Sequence, residues 1–182
     1  MDHLWSPWRL EYVTSKKPDG CVFCLPAEAS AKAGHAPDRS RPDPLLVHTG
    51  TLAYVILNLY PYNNGHLLVV PYRHESSLMG LTREEMNEVG VLLQVSERAL
   101  REAYRLEGIN VGVNLGAPAG AGIEEHVHLH LVPRWNGDTN FMTVVGQTRV
   151  LPEEIASTAA RLRPIFERLA LINHDDHEGH DA

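Results

Sequence analysis

From residue 52 onward the apolar positions fall into short runs and one long helical stripe. Leu52–Leu57 is an apolar run with little polar content on either face, the pattern of a buried strand. Asn58–Gly65 interrupts it with turn residues, of which the Asn64-Gly65 pair is the strongest. His66–Val70 reads as a second strand, and Pro71 ends its ladder because it has no N–H to donate. The two runs predict neighbouring antiparallel strands joined by a structured loop. Thr82-Arg83-Glu84-Glu85 has capping-box spacing. Behind it Met86, Val89, Leu93, Ser96, Leu100 and Ala103 recur at three- and four-residue steps, which predicts a helix over 82–107 with Gly108 at its exit. Asn110–Leu115 is a third strand, and Gly116–Gly122 a tight glycine-rich connection. Val127, Leu129 and Leu131 alternate with His126, His128 and His130 in a fourth strand, and Phe141–Val145 makes a fifth. A last helix spans 153–171, with Pro152 near its start and Ile155, Ala159, Leu162, Phe166 and Leu169 inward. The expected class is α+β: about five mostly antiparallel strands, one long packed helix and a C-terminal helix.

The remaining segments lack such periods. Residues 1–20 carry Trp5, Trp8 and Tyr12, aromatic anchors that pack on the body or on a partner chain. Residues 25–44, rich in Ala, Pro, Asp, Arg and Ser, read as a loop insert. Residues 173–182 hold three histidines, four acids and no Lys or Arg, and read as a disordered tail. The expected organisation is a single domain over 1–172.

Composition narrows the function. The 182 residues are 43% hydrophobic and 21% charged, as in ordinary globular proteins. Sixteen Lys plus Arg against 23 Asp plus Glu give a formal charge of -7, which argues against broad nucleic-acid or anionic-membrane binding as the main role. A small anionic substrate stays open, since a local cluster can overcome a global sign. The start, Met1-Asp2-His3-Leu4-Trp5, lacks a signal-peptide pattern, and no apolar stretch is long enough to span a bilayer, so the expected location is cytoplasmic. The only two cysteines form Cys21-Val22-Phe23-Cys24, a spacing suited to metal or redox chemistry.

Eleven histidines is a high count, and three of them lie two apart. A strand places His126, His128 and His130 on one face while Val127, Leu129 and Leu131 take the other. Spacing alone also fits a three-histidine metal site. The setting favours phosphate chemistry: a small-residue loop containing Gly120 and Gly122 precedes the strand, and backbone N–H groups in such loops can face an anion. Asn114 adds a directed donor upstream, and Arg134 shares the histidines' parity downstream. A neutral imidazole can attack phosphorus and form a covalent phosphoramidate that a second nucleophile releases.

His126-Val127-His128-Leu129-His130-Leu131-Val132 resembles the motif of the histidine triad family, in the branch of dinucleoside polyphosphate hydrolases and phosphorylases. The resemblance runs from Leu4–Arg9 through the cysteine pair, Leu57–His66 and the triad to Val132–Trp135, Gly137–Met142 and Thr148–Val150. It implies that His128 is the nucleophile, that His130 contacts phosphate and helps the leaving group, and that His126 orients the nucleophile or binds zinc. It implies that Asn58 holds the ribose hydroxyls, that Asn114 contacts phosphate, and that Val55, Leu57 and Leu67 are candidates for a base pocket. Many members carry Gln-Ser or Gln-Thr before the triad; Gly122 and Ile123 stand there here, so only their backbone N–H groups are left to hold phosphate. A leaving group without hydroxyl assistance must be a better one, which favours a polyphosphate over an amine.

In the zinc-containing branch the cysteine pair is completed by a histidine after the second strand and by the first triad histidine, which implies a structural zinc on Cys21, Cys24, His74 and His126. The implied activity is nucleotidyl transfer or hydrolysis of dinucleoside polyphosphates, diadenosine tetraphosphate first among them. It proceeds through a nucleotidyl-histidine, with water or phosphate as acceptor. A nucleoside phosphoramidase and a slow-turnover nucleotide-binding regulator are the alternatives. The family's habit implies a homodimer that takes adenine nucleotides or dinucleoside polyphosphates, with neither nucleic acid nor membrane as partner.

Overall fold

A computed structural model describes residues 20–24, 44–138 and 153–175 of the chain. Trp5, Trp8, Tyr12, residues 25–43, the expected strand Phe141–Val145 and residues 176–182 lie outside the described residues. Five strands form one sheet: β1 (Leu46–Thr49), β2 (Ala53–Leu57), β3 (Leu67–Pro71), β4 (Gly108–Val113) and β5 (Leu129–Arg134). Their order is β1-β2-β3-β5-β4, and every neighbouring pair is antiparallel. Two long helices, α1 (Arg83–Tyr104) and α2 (Ile155–Asp175), complete the described fold.

The expected class holds, but one strand in the described sheet is new. β1 is only four residues long and lies just after the aperiodic 25–44 stretch, so no period marks it. Its His48 stacks on Phe166 of α2, ring centroids 5.5 Å apart, and Arg163 of α2 donates to the Leu46 carbonyl. His48 is therefore a packing residue between sheet and helix.

α1 begins where its capping box predicts. Glu85 N–H donates to the Thr82 hydroxyl, and Thr82 N–H donates back to the Glu85 carboxylate. The buried stripe is rotated from the expected one: Val89, Ser96 and Leu100 are joined by Leu92, Val95 and Ala99, while Met86 faces solvent. Gly108 does not end this helix. Arg105 adopts the left-handed cap conformation (φ 43°), and Gly108 opens β4. α2 runs to Asp175, past the boundary expected at residue 172.

Both helices cover one sheet face. Ala53, Val55, Leu57, Leu67, Val69, Leu129 and Leu131 pack there against Val89, Leu92, Leu100, Leu162 and Phe166. Val55, Leu57 and Leu67 are thus core residues, which removes them as candidates for a base pocket. The period of two sends their neighbours to the opposite face, where Tyr54, Leu68, Val70 and Tyr72 form a second cluster edged by Phe23, Leu46 and Ile56. Leu68 is the direct cross-strand partner of His130, so the histidines share this second face.

Candidate functional site

The three histidines straddle the start of β5, with His126 and His128 just before it and His130 inside it. Each ring has one nitrogen held by the protein. His128 Nδ1 lies 2.8 Å from the His126 carbonyl oxygen, which can only accept, so Nδ1 carries the proton and Nε2 the lone pair. His126 Nε2 lies 2.9 Å from the Pro71 carbonyl, so Nε2 carries the proton and Nδ1 the lone pair.

His130 is set at one remove. Tyr62 N–H donates to His66 Nδ1 at 3.0 Å, leaving the His66 proton on Nε2. That Nε2–H points at His130 Nδ1, 3.0 Å away. The neutral His130 ring therefore carries its proton on Nε2, a buried atom with no hydrogen-bond partner among the described residues. The result is a lone pair on His128 beside a donor on His130, the two rings 4.9 Å apart. Burial, aided by the His128 charge, pushes His130 down to about 4, and burial also lowers His128. Both rings stay neutral near pH 7, as a nucleophile and a neutral donor require.

A second constellation adjoins the first. Cys21, Cys24, His74 and His126 bring one ligand atom each within 4.8 Å of one another. His126 Nδ1, whose lone pair is free to coordinate, lies 3.4 Å from both sulfurs, and Cys24 Sγ lies 3.2 Å from His74 Nδ1. Metal–sulfur bonds of about 2.3 Å and metal–nitrogen bonds of about 2.0 Å imply a tetrahedral S–N edge of about 3.5 Å. The observed separations are close to that edge, so the four residues could hold a metal ion. Burial and the neighbouring Cys21 raise the Cys24 thiol to about 11, a cost that a bound cation would reverse. His126, desolvated and pushed down to about 4, is already in the neutral form a metal needs.

Asn114 and His130 line one groove of about 420 Å³ with Tyr62, Asn63, Asn110 and Arg134. Arg134 does not reach into it as an unpaired cation. Its Nε and Nη2 grip the Asp138 carboxylate at 2.6 and 2.7 Å, and Nη1 donates to Asn110. Asn58 sits at the end of β2, where its Oδ1 accepts from Tyr60 N–H and its Nδ2 lies 3.3 Å from His66 Nδ1. It reaches the triad only through His66. In the glycine loop Gly116 and Gly120 need positive φ to close the turn. Gly120 N–H is spent on the Ala117 carbonyl. Gly122 and Ile123 are half-buried just before the triad. Glu124 accepts from Ala117 N–H and so braces the loop.

A model of the HIT domain matches residues 41–137 of the chain. An AP-4-A phosphorylase of Mycobacterium tuberculosis is 41% identical over 170 residues, 92% of this chain and 86% of that protein. The chain belongs to the histidine triad (HIT) family. A bis(5'-adenosyl)-triphosphatase of Dictyostelium discoideum is 30% identical over 65% of this chain and 83% of its own length. The crystal structure of a Zn-bound histidine triad family protein from Mycobacterium smegmatis superimposes with a TM-score of 0.59 at 26% identity, covering 72% of this chain and 89% of that one.

Two residues of this HIT site gave little signal in the sequence. His66 reads there only as the first residue of a strand; in the fold it is fully buried and sets the tautomer of His130. The signal available was a histidine at a strand start after Asn64-Gly65, which names no partner. Phe23 reads as the spacer of a cysteine pair, yet its ring lies against His126 and His128.

Proposed function

We propose that this histidine triad enzyme transfers a nucleotidyl group from a dinucleoside polyphosphate, diadenosine tetraphosphate above all, to His128 and then to phosphate or water. The observation that carries the reading is the opposed pair of fixed tautomers: a lone pair on His128 Nε2 beside an unpartnered N–H on His130 Nε2. His128 Nε2 attacks the phosphorus next to one ribose. The bond to the departing nucleoside polyphosphate breaks with its electron pair. His130 donates to the oxygen on which charge grows, where a preorganised donor is most effective. The backbone hydrogen bond from Nδ1 to the His126 carbonyl strengthens as the ring becomes cationic. The acceptor oxygen then attacks the same phosphorus and returns the ring to its neutral form. Asn114, Gly122 and Ile123 are assigned to phosphate, and Asn58 to the ribose with His66 behind it. Gly120 shapes the loop, because its own N–H is committed.

The metal assigned to the four-residue cluster is zinc. Two thiolates and two imidazoles match its preferred donors. Held by these four residues, it would tie the Cys21–Cys24 turn to the strand that bears the triad. The AP-4-A phosphorylase relative supports phosphate as acceptor. With diadenosine tetraphosphate and phosphate the expected products are ATP and ADP; without phosphate, ATP and AMP. Symmetric cleavage to two ADP in the absence of phosphate, or no turnover, refutes the reading.

A homodimer in the cytoplasm completes the proposal. β4 is an outer strand of the described sheet, its Val111 is 55% exposed, and Leu115 just beyond it is 43% exposed. An edge with no neighbouring strand among the described residues, bearing apolar side chains, is a template for a second copy. Sedimentation at micromolar concentration is expected to give twice the chain mass. Val111→Lys is expected to shift the protein to monomer, and a wild-type monomer would exclude the assembly. Among the described residues no helix is long and apolar enough to cross a membrane.

A further inference from the structure

The nucleophile's ring is held in plane by its neighbours. The terminal torsion of a histidine is intrinsically broad, so packing decides which way the ring faces. His128 has one hydrogen bond to its own strand, from Nδ1 to the His126 carbonyl. His130 flanks it at 4.9 Å between centroids with planes inclined by 64°. Phe23 also lies 4.9 Å away, inclined by 50°, and its ring reaches on to His126 at 5.5 Å in an edge-on contact.

Phe23 comes from a short turn whose anchors among the described residues are few. Cys24 N–H closes the turn on the Cys21 carbonyl. The Tyr54 hydroxyl donates to the Phe23 carbonyl at 3.0 Å. The other ties among the described residues are the two cysteines that bracket Phe23, which meet His74 and His126 through sulfur–nitrogen contacts. Without a metal those contacts are weak thiol interactions. With one they would become coordinate bonds, one on each side of Phe23.

We propose that Phe23 is a positioning residue for His128, and that through it the Cys21–Cys24 turn makes the orientation of the nucleophile depend on metal in the cluster. This rests on the reading of His128 as nucleophile. It adds a route by which a closed metal site, with no position for substrate, acts on the reaction. The metal fixes the turn, the turn seats the Phe23 ring, and the ring limits rotation of the imidazole. A displacement of about 1 Å at a reacting group is worth about 100-fold in rate.

The test compares zinc-loaded wild type, chelator-treated wild type, Phe23→Ala and Phe23→Leu in the full-length protein. The ring resonances of His128, assigned against His128→Asn, are followed by long-range proton–nitrogen NMR. One sharp set is expected for loaded wild type. Broadened or multiple sets are expected for stripped wild type and for Phe23→Ala with its zinc still bound. Phe23→Ala is expected to lose about 100-fold in kcat with KM within about threefold of wild type, and Phe23→Leu, which restores bulk, to recover most of it. Unchanged His128 resonances in Phe23→Ala or in the stripped protein overturn the proposal, as does a rise in KM with kcat intact, which would make Phe23 a substrate-pocket wall. If Phe23→Ala does not fold, Phe23→Leu and the stripped wild type still decide, through the same resonances. The NMR readout needs no substrate, so its failure is separable from failure of the dinucleoside polyphosphate reading.

Discussion

His128→Ala is expected to lower turnover of diadenosine tetraphosphate by about 10⁴-fold or more while nucleotide affinity changes by less than about threefold. The lost group acts on the chemical step, and a loss confined to kcat is the signature of an interaction made in the transition state. Brief reaction of wild type with adenine-labelled substrate should leave acid-labile label on the protein, and His128→Ala should carry none. Label that persists in the variant would move the nucleophile elsewhere. The pH profile bears on the same residue. Because kcat/KM reports the free enzyme, its acid limb follows the unliganded histidines. Burial holds His128 below its ordinary 6.5 and His130 at about 4, so both take up their protons in more acid solution than a solvent-exposed histidine does. The acid limb should therefore be centred below pH 6.5. Stability has the same sign. An unfolded His130 takes up its proton near 6.5 and the folded one near 4, so its contribution is present above 6.5 and lost as pH falls toward 4. An acid limb centred at 6.5 would show that the free-enzyme site is wetter than its geometry.

Zinc removal is the second large effect. Protein purified without a metal-affinity step should carry one zinc per chain, and so should a variant with His174, His177 and His180 changed to Asn. That variant removes the tail histidines as adventitious ligands. A closed site contributes its binding free energy to folding. Chelation should then cost about 3 kcal/mol or more, which at this chain length lowers Tm by about 10 °C. Cys21→Ser and Cys24→Ser should each drop the stoichiometry well below one and give part of the same loss. Activity should fall with structure and should not return at higher pH, because four protein ligands leave no position for a metal-bound water. Well under one zinc per chain in both proteins would return Cys21 and Cys24 to the role of packing residues and His126 to that of a neighbour whose carbonyl accepts from His128 Nδ1–H.

The sequence by itself determined most of the local architecture. β2 and β3 are legible because strands buried on both faces read as apolar runs bounded by turn residues. The start of α1 is legible because a capping box is a contact among four consecutive residues. The triad is legible because a period of two fixes which side chains share a strand face before any fold is known. The cysteine pair is legible for the same reason, its spacing being the geometry of a short turn.

What only the tertiary structure decided involves partners far apart in the chain. Strand parity told that Val55 and Leu57 share one face, but the packing of α1 and α2 decided that this face is the core, which sent Tyr54, Leu68 and the histidines to the other. The resemblance proposed four metal ligands, but only folding brought Cys21 and Cys24 to 3.4 Å from a histidine more than a hundred residues on. The tautomer of His130 depends on His66, which depends on a backbone N–H of the turn between β2 and β3. A proton's position on an imidazole is set by whichever acceptor or donor lies within about 3 Å, and no local pattern of residue types carries that distance.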